Sequence, residues 1–247
     1  WVVLFAGSLA AGGANAINHC LDRDIDNIMT RTKTRPVAGK RILPRNALIF
    51  GIMLNIVAFV LLILFATWLS AILTLAATLV YVFIYTIGLK RNTPQNIVIG
   101  GAAGAFPPLI AWAAVTGNIG LGAVYLFAIV FFWTPPHFWA LALMIKDDYA
   151  EAGIPMLPVV KGDAATKKAI VLYVILLLAL TLMMVVTREV GWIYGIAAAC
   201  LGIGYLYYAI QLYKSEGILK AKPAYLYSLA YLALLFVFVM IDASVTI

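Results

Sequence analysis

The chain has 247 residues, of which 65% are hydrophobic and 11% are charged. A soluble domain usually carries about 25% charged residues, so the composition excludes a soluble protein and predicts a single transmembrane domain covering residues 1–247. The net charge of +7 would suit a nucleic-acid-binding protein, but the basic residues follow a membrane topology and we expect no nucleic-acid partner. The lone cysteines, Cys20 and Cys200, lack the spacing of a zinc site or a disulfide framework.

Eight apolar runs approach the ~20 residues that a helix needs to cross a bilayer. They cover residues 1–20, 47–67, 69–89, 97–116, 119–144, 169–187, 190–213 and 224–246. Short and long connections alternate between them. We therefore predict an all-α polytopic membrane protein with eight spans. The chain begins inside the first apolar run, and we expect an N-terminal segment to precede it.

The charged residues follow the same alternation. All basic residues except Arg188 fall in or beside the long connections, which the positive-inside rule places in the cytoplasm. All acidic residues except Glu189 and Asp242 lie on that side too. Topology governs lysine and arginine but does not require acids beside them, so the acidic residues need another explanation.

The first acidic motif, N-H-C-L-D-R-D-I-D, begins at Asn18 near the end of the first run. Asn18, Asp22 and Asp26 are four residues apart, and each such step turns a helix by about 400°, so the three side chains share one face. Carboxylate and amide oxygens are magnesium ligands, and the cations Arg31 and Arg35, which can hold phosphate oxygens, follow directly along the chain. The stretch predicts a magnesium–diphosphate site.

The simpler interpretation of this motif is a solvated helix end whose charges pair with one another. Asp24 lies off the shared face, and we expect it to pair with Arg23 or with solvent. Pro36 ends any helix that reaches it.

A second acidic cluster, K-D-D-Y-A-E at residues 146–151, follows the fifth apolar run on the same side of the membrane as the first. Taken alone, it fits a solvated helix cap as well as it fits a ligand set. Two such clusters can hold two Mg²⁺ ions with a diphosphate between them. The predicted metal ligands are Asn18, Asp22, Asp26, Asp147, Asp148 and Glu151.

Two further basic residues lie in L-K-R-N-T-P-Q-N-I-V-I-G-G. Lys90 and Arg91 are predicted to bind phosphate, although topology charges would explain them too. Thr93 and Pro94 predict a helix N-cap and first helical residue. Small residues that allow close helix packing follow at Gly100, Gly101 and Gly104.

The fifth run contains W-T-P-P-H-F-W, with two prolines that break backbone hydrogen bonding. His137 within it is either a packing residue or a contact to a bound substrate. The segment 153–162 is apolar and stiffened by proline; an interfacial lid and an ordinary loop are both consistent with it.

These motifs resemble the UbiA-type intramembrane prenyltransferase superfamily, which carries N-x-x-x-D-x-x-x-D and a second acidic motif. The longer stretches D-R-D-I-D-N-I-M-x-R-T-x-x-R-P, P-P-H-F-W-A-L-A and K-D-D-Y-x-x-A-G-I-P-M-L-P-V-V are similar to the farnesyltransferases within it that act on protoheme IX. The resemblance covers essentially the whole chain and implies a bundle with nine spans in the full-length protein. The second motif departs from D-x-x-x-D, because Glu151 ends it; we favour Asp147 and Asp148 as its metal ligands.

The resemblance implies transfer of a farnesyl group from farnesyl diphosphate to a vinyl group of haem b, with addition of water, giving haem O and diphosphate. Mg²⁺ is the implied cofactor, and His137 is the candidate haem contact. The implied catalytic residues are Asp22, Asp26, Asp148 and Lys90. The implied diphosphate-binding residues are Asn18, Arg31, Arg35, Lys90 and Arg91.

The implied location is the bacterial plasma membrane, with the active-site loops in the cytoplasm. An assembly role with a haem A synthase or a terminal oxidase is left open. The nearest alternative is the same fold acting on an aromatic precursor of quinones. A membrane transporter is a distant alternative. It would need polar groups near the midplane of the membrane, whereas the charges here lie mostly on one side of it.

Overall fold

The computed structural model describes residues 1–245, and within that range every regular element is a helix. The helices are α1 (Val2–Leu21), α2 (Arg23–Ile28), α3 (Pro44–Phe65), α4 (Trp68–Leu79), a π-helix (Val80–Leu89), α5 (Asn96–Thr116), α6 (Leu121–Met144), α7 (Lys146–Glu151), α8 (Leu157–Val186), α9 (Trp192–Lys214) and α10 (Ala221–Val245). The prediction of an all-α protein is confirmed.

By length and composition, seven helices within residues 1–245 are able to cross a membrane. The π-helix continues α4, and the two together form one of the seven. The predicted count of eight is therefore wrong by one, because α1 is not among them. Glycine, serine and asparagine residues, such as Gly12, Gly13 and Asn15, make α1 less apolar than the other long helices. The protein is a multi-pass membrane protein. Residue 246, at the end of the last predicted span, lies outside the described residues.

The chain divides into two compact units. The first comprises Trp1–Ala123 and Asp147–Pro155, and the second comprises Val124–Lys146 and the chain from Met156 onward. The short helix α7 thus belongs, from Asp147 onward and with the acidic residues of the second cluster, to the unit that holds the first acidic motif. A single transmembrane domain over residues 1–247 stays a prediction.

In the first unit, α1 and α3 approach each other through two glycines. A Cβ atom added to Gly13 would lie 2.6 Å from the carbonyl oxygen of Gly51, and one added to Gly51 would lie 2.6 Å from that of Gly13. Any larger residue at either position would therefore force the backbones apart. This contact fixes α1 just before the stretch that carries the predicted ligands.

In the second unit, a side chain of α10 caps the start of α9. Asp242 is buried and accepts a hydrogen bond from the backbone N–H of Tyr194, at 3.2 Å. Helix α8 is interrupted at Gly162, whose φ of 78° lies in the left-handed region that glycine tolerates. Ile154 and Met156 are buried, so this part of the predicted lid or loop is not a solvent-exposed loop.

Candidate active site

The first acidic motif spans the junction between α1 and α2. Asp22 separates the two helices with φ −95° and ψ 9°, so the motif does not lie on one uninterrupted helix as the spacing predicted. The backbone nevertheless keeps its i to i+4 hydrogen bonds, from the Asp22 N–H to the Asn18 oxygen and from the Asp26 N–H to the Asp22 oxygen, both at 2.8 Å. All three side chains are buried, with Asp22 fully inaccessible.

Asp22 is the most densely contacted carboxylate of the motif. Its Oδ2 accepts hydrogen bonds from Asn18 Nδ2, at 2.7 Å, and from Lys90 Nζ. Its Oδ1 lies 3.5 Å from Arg91 Nη2 but accepts no hydrogen bond from the described residues. A buried carboxylate oxygen without a donor is costly, and a bound cation is one way to satisfy it.

The π-helix positions the groups that face Asp22. Its widened turn is marked by the hydrogen bond from the Lys90 N–H to the Tyr85 oxygen five residues earlier, at 2.8 Å. Thr86 Oγ1 donates to the Tyr81 oxygen at 2.9 Å and accepts from Asn18 Nδ2 at 3.2 Å. Such wide turns often occur at functional sites. Here the register of the π-helix aligns Thr86 and Lys90 with the end of α1.

Tyr85 packs the π-helix against α5. A Cβ atom on Gly100 would lie 2.9 Å from Cγ of the Tyr85 ring, so only glycine leaves room for this ring. Gly104, by contrast, has nothing within 4 Å of such an atom. Helix α5 begins at Asn96 with Gln95 as its N-cap, so the prediction that Thr93 and Pro94 begin it is wrong. Thr93 Oγ1 instead accepts from the Gln95 N–H at 3.2 Å, which closes the turn before the helix.

Asp26 is matched by Arg35. The Arg35 guanidinium donates from Nη1 to both carboxylate oxygens, at 2.9 and 3.0 Å. Asp26 is 1% exposed, so this ion pair is largely removed from water. The turns after α2 bring Arg35 back to the motif, since Thr32 Oγ1 donates to the Asp26 carbonyl at 3.3 Å.

Asp24 pairs with Arg91, so the predicted pairing with Arg23 is wrong, whereas its side chain is 61% exposed and faces solvent as predicted. Two hydrogen bonds, at 2.6 and 2.7 Å, join the Arg91 guanidinium to the Asp24 carboxylate. They lower the pKa of Asp24 to about 2. The Arg23 guanidinium donates instead to the Cys20 carbonyl, at 3.0 Å. Arg91 thus faces both Asp24 and Asp22, which links the loop after the π-helix to the first motif.

Helix α7 carries the second acidic cluster. Asp147 and Glu151 are exposed and Asp148 is half-buried, whereas Tyr149 between them is buried. Burial raises the pKa of the Tyr149 hydroxyl, and Arg31 nearby counteracts part of that rise. The predicted phosphate ligand Arg31 therefore lies beside α7.

The six predicted metal ligands do not converge in this structure. Among residues 1–245, no three side chains of His, Cys, Asp or Glu are gathered as a metal site would require. Lys90 and Arg35 hold the carboxylates of Asp22 and Asp26 instead. The metal site remains a prediction.

In the second unit, His137 is buried on α6, which continues through Pro135 and Pro136. His137 Nδ1 lies 2.7 Å from Ser228 Oγ on α10. Sequence reasoning found neither Ser228 nor Thr86, because their partners lie 91 and 68 residues away along the chain.

Comparison with known proteins identifies the family. The model of the UbiA prenyltransferase family matches residues 1–236. The chain belongs to this family.

As a member of the UbiA family, it shares its fold with solved structures that are only distantly related in sequence. A digeranylgeranylglyceryl phosphate synthase structure has a TM-score of 0.77 at 19% identity, covering 98% of this chain and 84% of that one. A UbiA homologue from Archaeoglobus fulgidus, bound to GPP and Mg²⁺, has a TM-score of 0.70 at 15% identity, covering 97% and 87%.

Closer relatives in sequence carry one name, protoheme IX farnesyltransferase. The protein of that name from Deinococcus radiodurans is 52% identical over 99% of this chain and 80% of its own length. That of Gloeobacter violaceus is 49% identical over 98% and 80%. That of Roseiflexus sp. strain RS-1 is 53% identical over 99% of this chain, which spans only 46% of the relative. The resemblance seen in the sequence is thereby confirmed.

Proposed function

We propose that this UbiA-family protein transfers a farnesyl group from farnesyl diphosphate to a vinyl group of haem b. The observation that carries the proposal is the buried pair of carboxylates, Asp22 and Asp26, each matched with a basic side chain. This arrangement suits a diphosphate and a cation, and it occurs in a chain about half identical to protoheme IX farnesyltransferases. The proposed location is a bacterial inner membrane, with the long connections in the cytoplasm.

The residues of the first motif fit Mg²⁺ in their chemistry. The donor set consists of two carboxylates and an amide, which are hard oxygen ligands. Oδ1 of Asp22 accepts no hydrogen bond from residues 1–245, and it is a buried oxygen that a cation would satisfy. Asn18, Asp22 and Asp26 would hold one ion. Asp147, Asp148 and Glu151 of α7 would hold a second. When bound, Mg²⁺ would neutralise charge on the departing diphosphate.

The basic side chains would serve two partners in turn. Without substrate, Lys90 and Arg35 neutralise the buried carboxylates of Asp22 and Asp26. With a cation held by Asp22 and Asp26, the ammonium of Lys90 and the guanidinium of Arg35 would be free to donate to phosphate oxygens of the substrate. The buried charge then stays balanced in both states, which removes much of the cost of burying it.

The chemistry follows from stabilising the leaving group. Donors around the diphosphate favour its departure, so the allylic carbon–oxygen bond breaks and positive charge develops on the farnesyl carbon. The terminal vinyl carbon of haem forms the new carbon–carbon bond. Water then adds to the cation left on the haem side and releases a proton. Lys90, Arg31 and Arg35 hold the diphosphate, whose negative charge grows as it leaves.

The test is to supply the purified protein with farnesyl diphosphate, Mg²⁺ and an equimolar mixture of haem b and an aromatic acid acceptor. We expect mass spectrometry to find a haem that has gained one farnesyl group and one hydroxyl, and we expect EDTA to abolish it. Prenylation of the aromatic acid alone would favour the alternative acceptor. Absence of both products would refute the prenyl transfer itself.

The proposed partners of the protein are a haem A synthase or a terminal oxidase, which would receive the haem O product.

A further inference from the structure

We infer that Ser228 is a positioning residue that fixes the tautomer of His137, so that Nε2 presents its lone pair to the iron of haem b. The inference rests on the proposed function, because that function supplies the haem. It concerns a pair of residues within the second unit and adds a role for a side chain that the sequence did not single out.

The hydrogen-bond inventory around Ser228 assigns the proton on the histidine. Ser228 Oγ lies 2.5 Å from the carbonyl oxygen of Tyr225, which can only accept, so the single hydroxyl hydrogen is directed there. The same oxygen lies 2.7 Å from His137 Nδ1. Since the hydroxyl hydrogen is already used, Ser228 Oγ must accept, and Nδ1 must be the donor. In a neutral imidazole the other nitrogen, Nε2, then carries the free lone pair.

Aromatic rings prevent His137 from turning away from this arrangement. Its ring stacks on Trp133 with centroids 4.2 Å apart and on Tyr225 with centroids 4.8 Å apart. Trp133 Nε1 also donates to the backbone carbonyl of Ser228, at 2.8 Å. Ser228 therefore holds both the histidine and one of the rings stacked on it, through two different atoms.

The Nε2 atom has no protein partner in the described part of the chain, in a side chain that is 6% exposed. Among residues 1–245, no hydrogen bond reaches it, and it is not one of the fully buried unpaired atoms. A neutral imidazole nitrogen with its other N–H hydrogen-bonded is the usual form of a metal-ligating histidine. The iron of haem b is the metal that the proposed reaction brings to the protein.

The experiment is a titration of the purified chain in phosphatidylcholine–phosphatidylglycerol nanodiscs with haem b, without farnesyl diphosphate. We expect a Soret band and an electron paramagnetic resonance spectrum typical of imidazole-ligated haem. His137→Ala should lose this signature, and added imidazole should restore it. Ser228→Ala should weaken haem affinity by about 10- to 100-fold, the usual effect of removing a partner of a metal-ligating residue. Ser228→Thr, which keeps the hydroxyl, should restore most of the affinity.

A matched control lies on the same helix as the histidine. Thr134→Val removes a buried hydroxyl that donates only to the Val130 carbonyl, at 2.8 Å, and should leave the titration unchanged. Nitrogen-15 NMR of the wild-type histidines tests the tautomer without any variant, and should show the proton of His137 on Nδ1.

Each other outcome overturns a defined part of the inference. Unchanged haem spectra in His137→Ala would remove the iron ligand. Wild-type affinity in Ser228→Ala, or a proton found on Nε2, would remove the positioning role. If the protein farnesylates haem b but gives one of these contradicting results, its proposed function stands and only this inference falls. A chain that ligates haem through His137 but makes no farnesylated haem loses that function and keeps this assignment.

Discussion

Removing the ammonium group of Lys90 should expose the cost of the buried carboxylate at Asp22. Asp22 is fully buried and the Lys90 side chain is only 14% exposed, so the ion pair is shielded from water. Removing one partner of a buried ion pair costs about 3–5 kcal/mol. Asn18 and Arg91 remain beside the carboxylate and offset part of this loss. We therefore expect Lys90→Met to lower the free energy of unfolding by about 3 kcal/mol, at the low end of that range.

The assay is reversible unfolding in mixed micelles, followed by circular dichroism, with two comparison variants. Lys146→Met removes the same group from an ion pair with Asp163 whose side chains are 36% and 38% exposed. Because exposed pairs contribute about 0.2–1 kcal/mol, this variant should change stability by no more than that. The double variant Asp22→Asn with Lys90→Met removes both buried charges and should recover most of the lost stability.

A loss in Lys90→Met no larger than that in Lys146→Met would refute this reasoning. Asp22 would then not carry an uncompensated buried charge, and the ion pair would not be the resting state of the site. The same variant offers an independent check with Mg²⁺ alone. If Asp22 is a metal ligand, removing its competitor should let Mg²⁺ raise the melting temperature of Lys90→Met more than that of the wild type.

Two further predictions concern the surroundings of this site. Gly100→Ala should lower stability by about 1–3 kcal/mol, since its Cβ would lie 2.9 Å from Cγ of the Tyr85 ring and closer still to Cδ2. Gly104→Ala should stay within about 0.5 kcal/mol, because nothing lies within 4 Å of its Cβ, and chemical denaturation compares the two variants. Arg91→Gln should raise the pKa of Asp24 from about 2 towards its ordinary value of about 3.9, as measured by carbon-13 NMR of the carboxyl group. Because the folded-state pKa of Asp24 is depressed, the stabilisation by Arg91 is present above its ordinary pKa and is lost as the pH falls through about 2. An unchanged pKa in Arg91→Gln, or equal stability of the two alanine variants, would contradict these contacts.

Local spacing predicted the part of the site that depends on backbone hydrogen bonds between near neighbours. Asn18, Asp22 and Asp26 follow one another in helical register, because i to i+4 backbone bonds persist across the junction between α1 and α2, and the Asn18 side chain contacts Asp22. The interruption at Asp22 itself was not predicted, since neither glycine nor proline marks it. Seven of the eight spans predicted from length and hydropathy are confirmed, and the prediction failed at α1, where small residues serve packing against α3.

Contacts between distant parts of the chain could not be predicted from local patterns. The pairing of Asp24 with Arg91 joins residues 67 apart, and the contact of Asn18 with Thr86 joins residues 68 apart. Both depend on the π-helix, whose sequence V-Y-V-F-I-Y-T-I-G-L reads as an ordinary apolar span. Within it, Tyr85 packs closely on Gly100 of α5, a contact that no single-sequence signal reveals.

Binding of an unreactive substrate analogue tests the central claim most directly, namely that Asp22 helps to hold a metal–diphosphate. Isothermal titration calorimetry would measure the affinity of farnesyl thiodiphosphate for the wild type and for Asp22→Asn, each with Mg²⁺ and with EDTA. We predict that Mg²⁺ strengthens binding to the wild type by at least about tenfold, or about 1.4 kcal/mol, and that Asp22→Asn abolishes this gain. Equal affinity with and without Mg²⁺, or an undiminished gain in Asp22→Asn, would contradict the account.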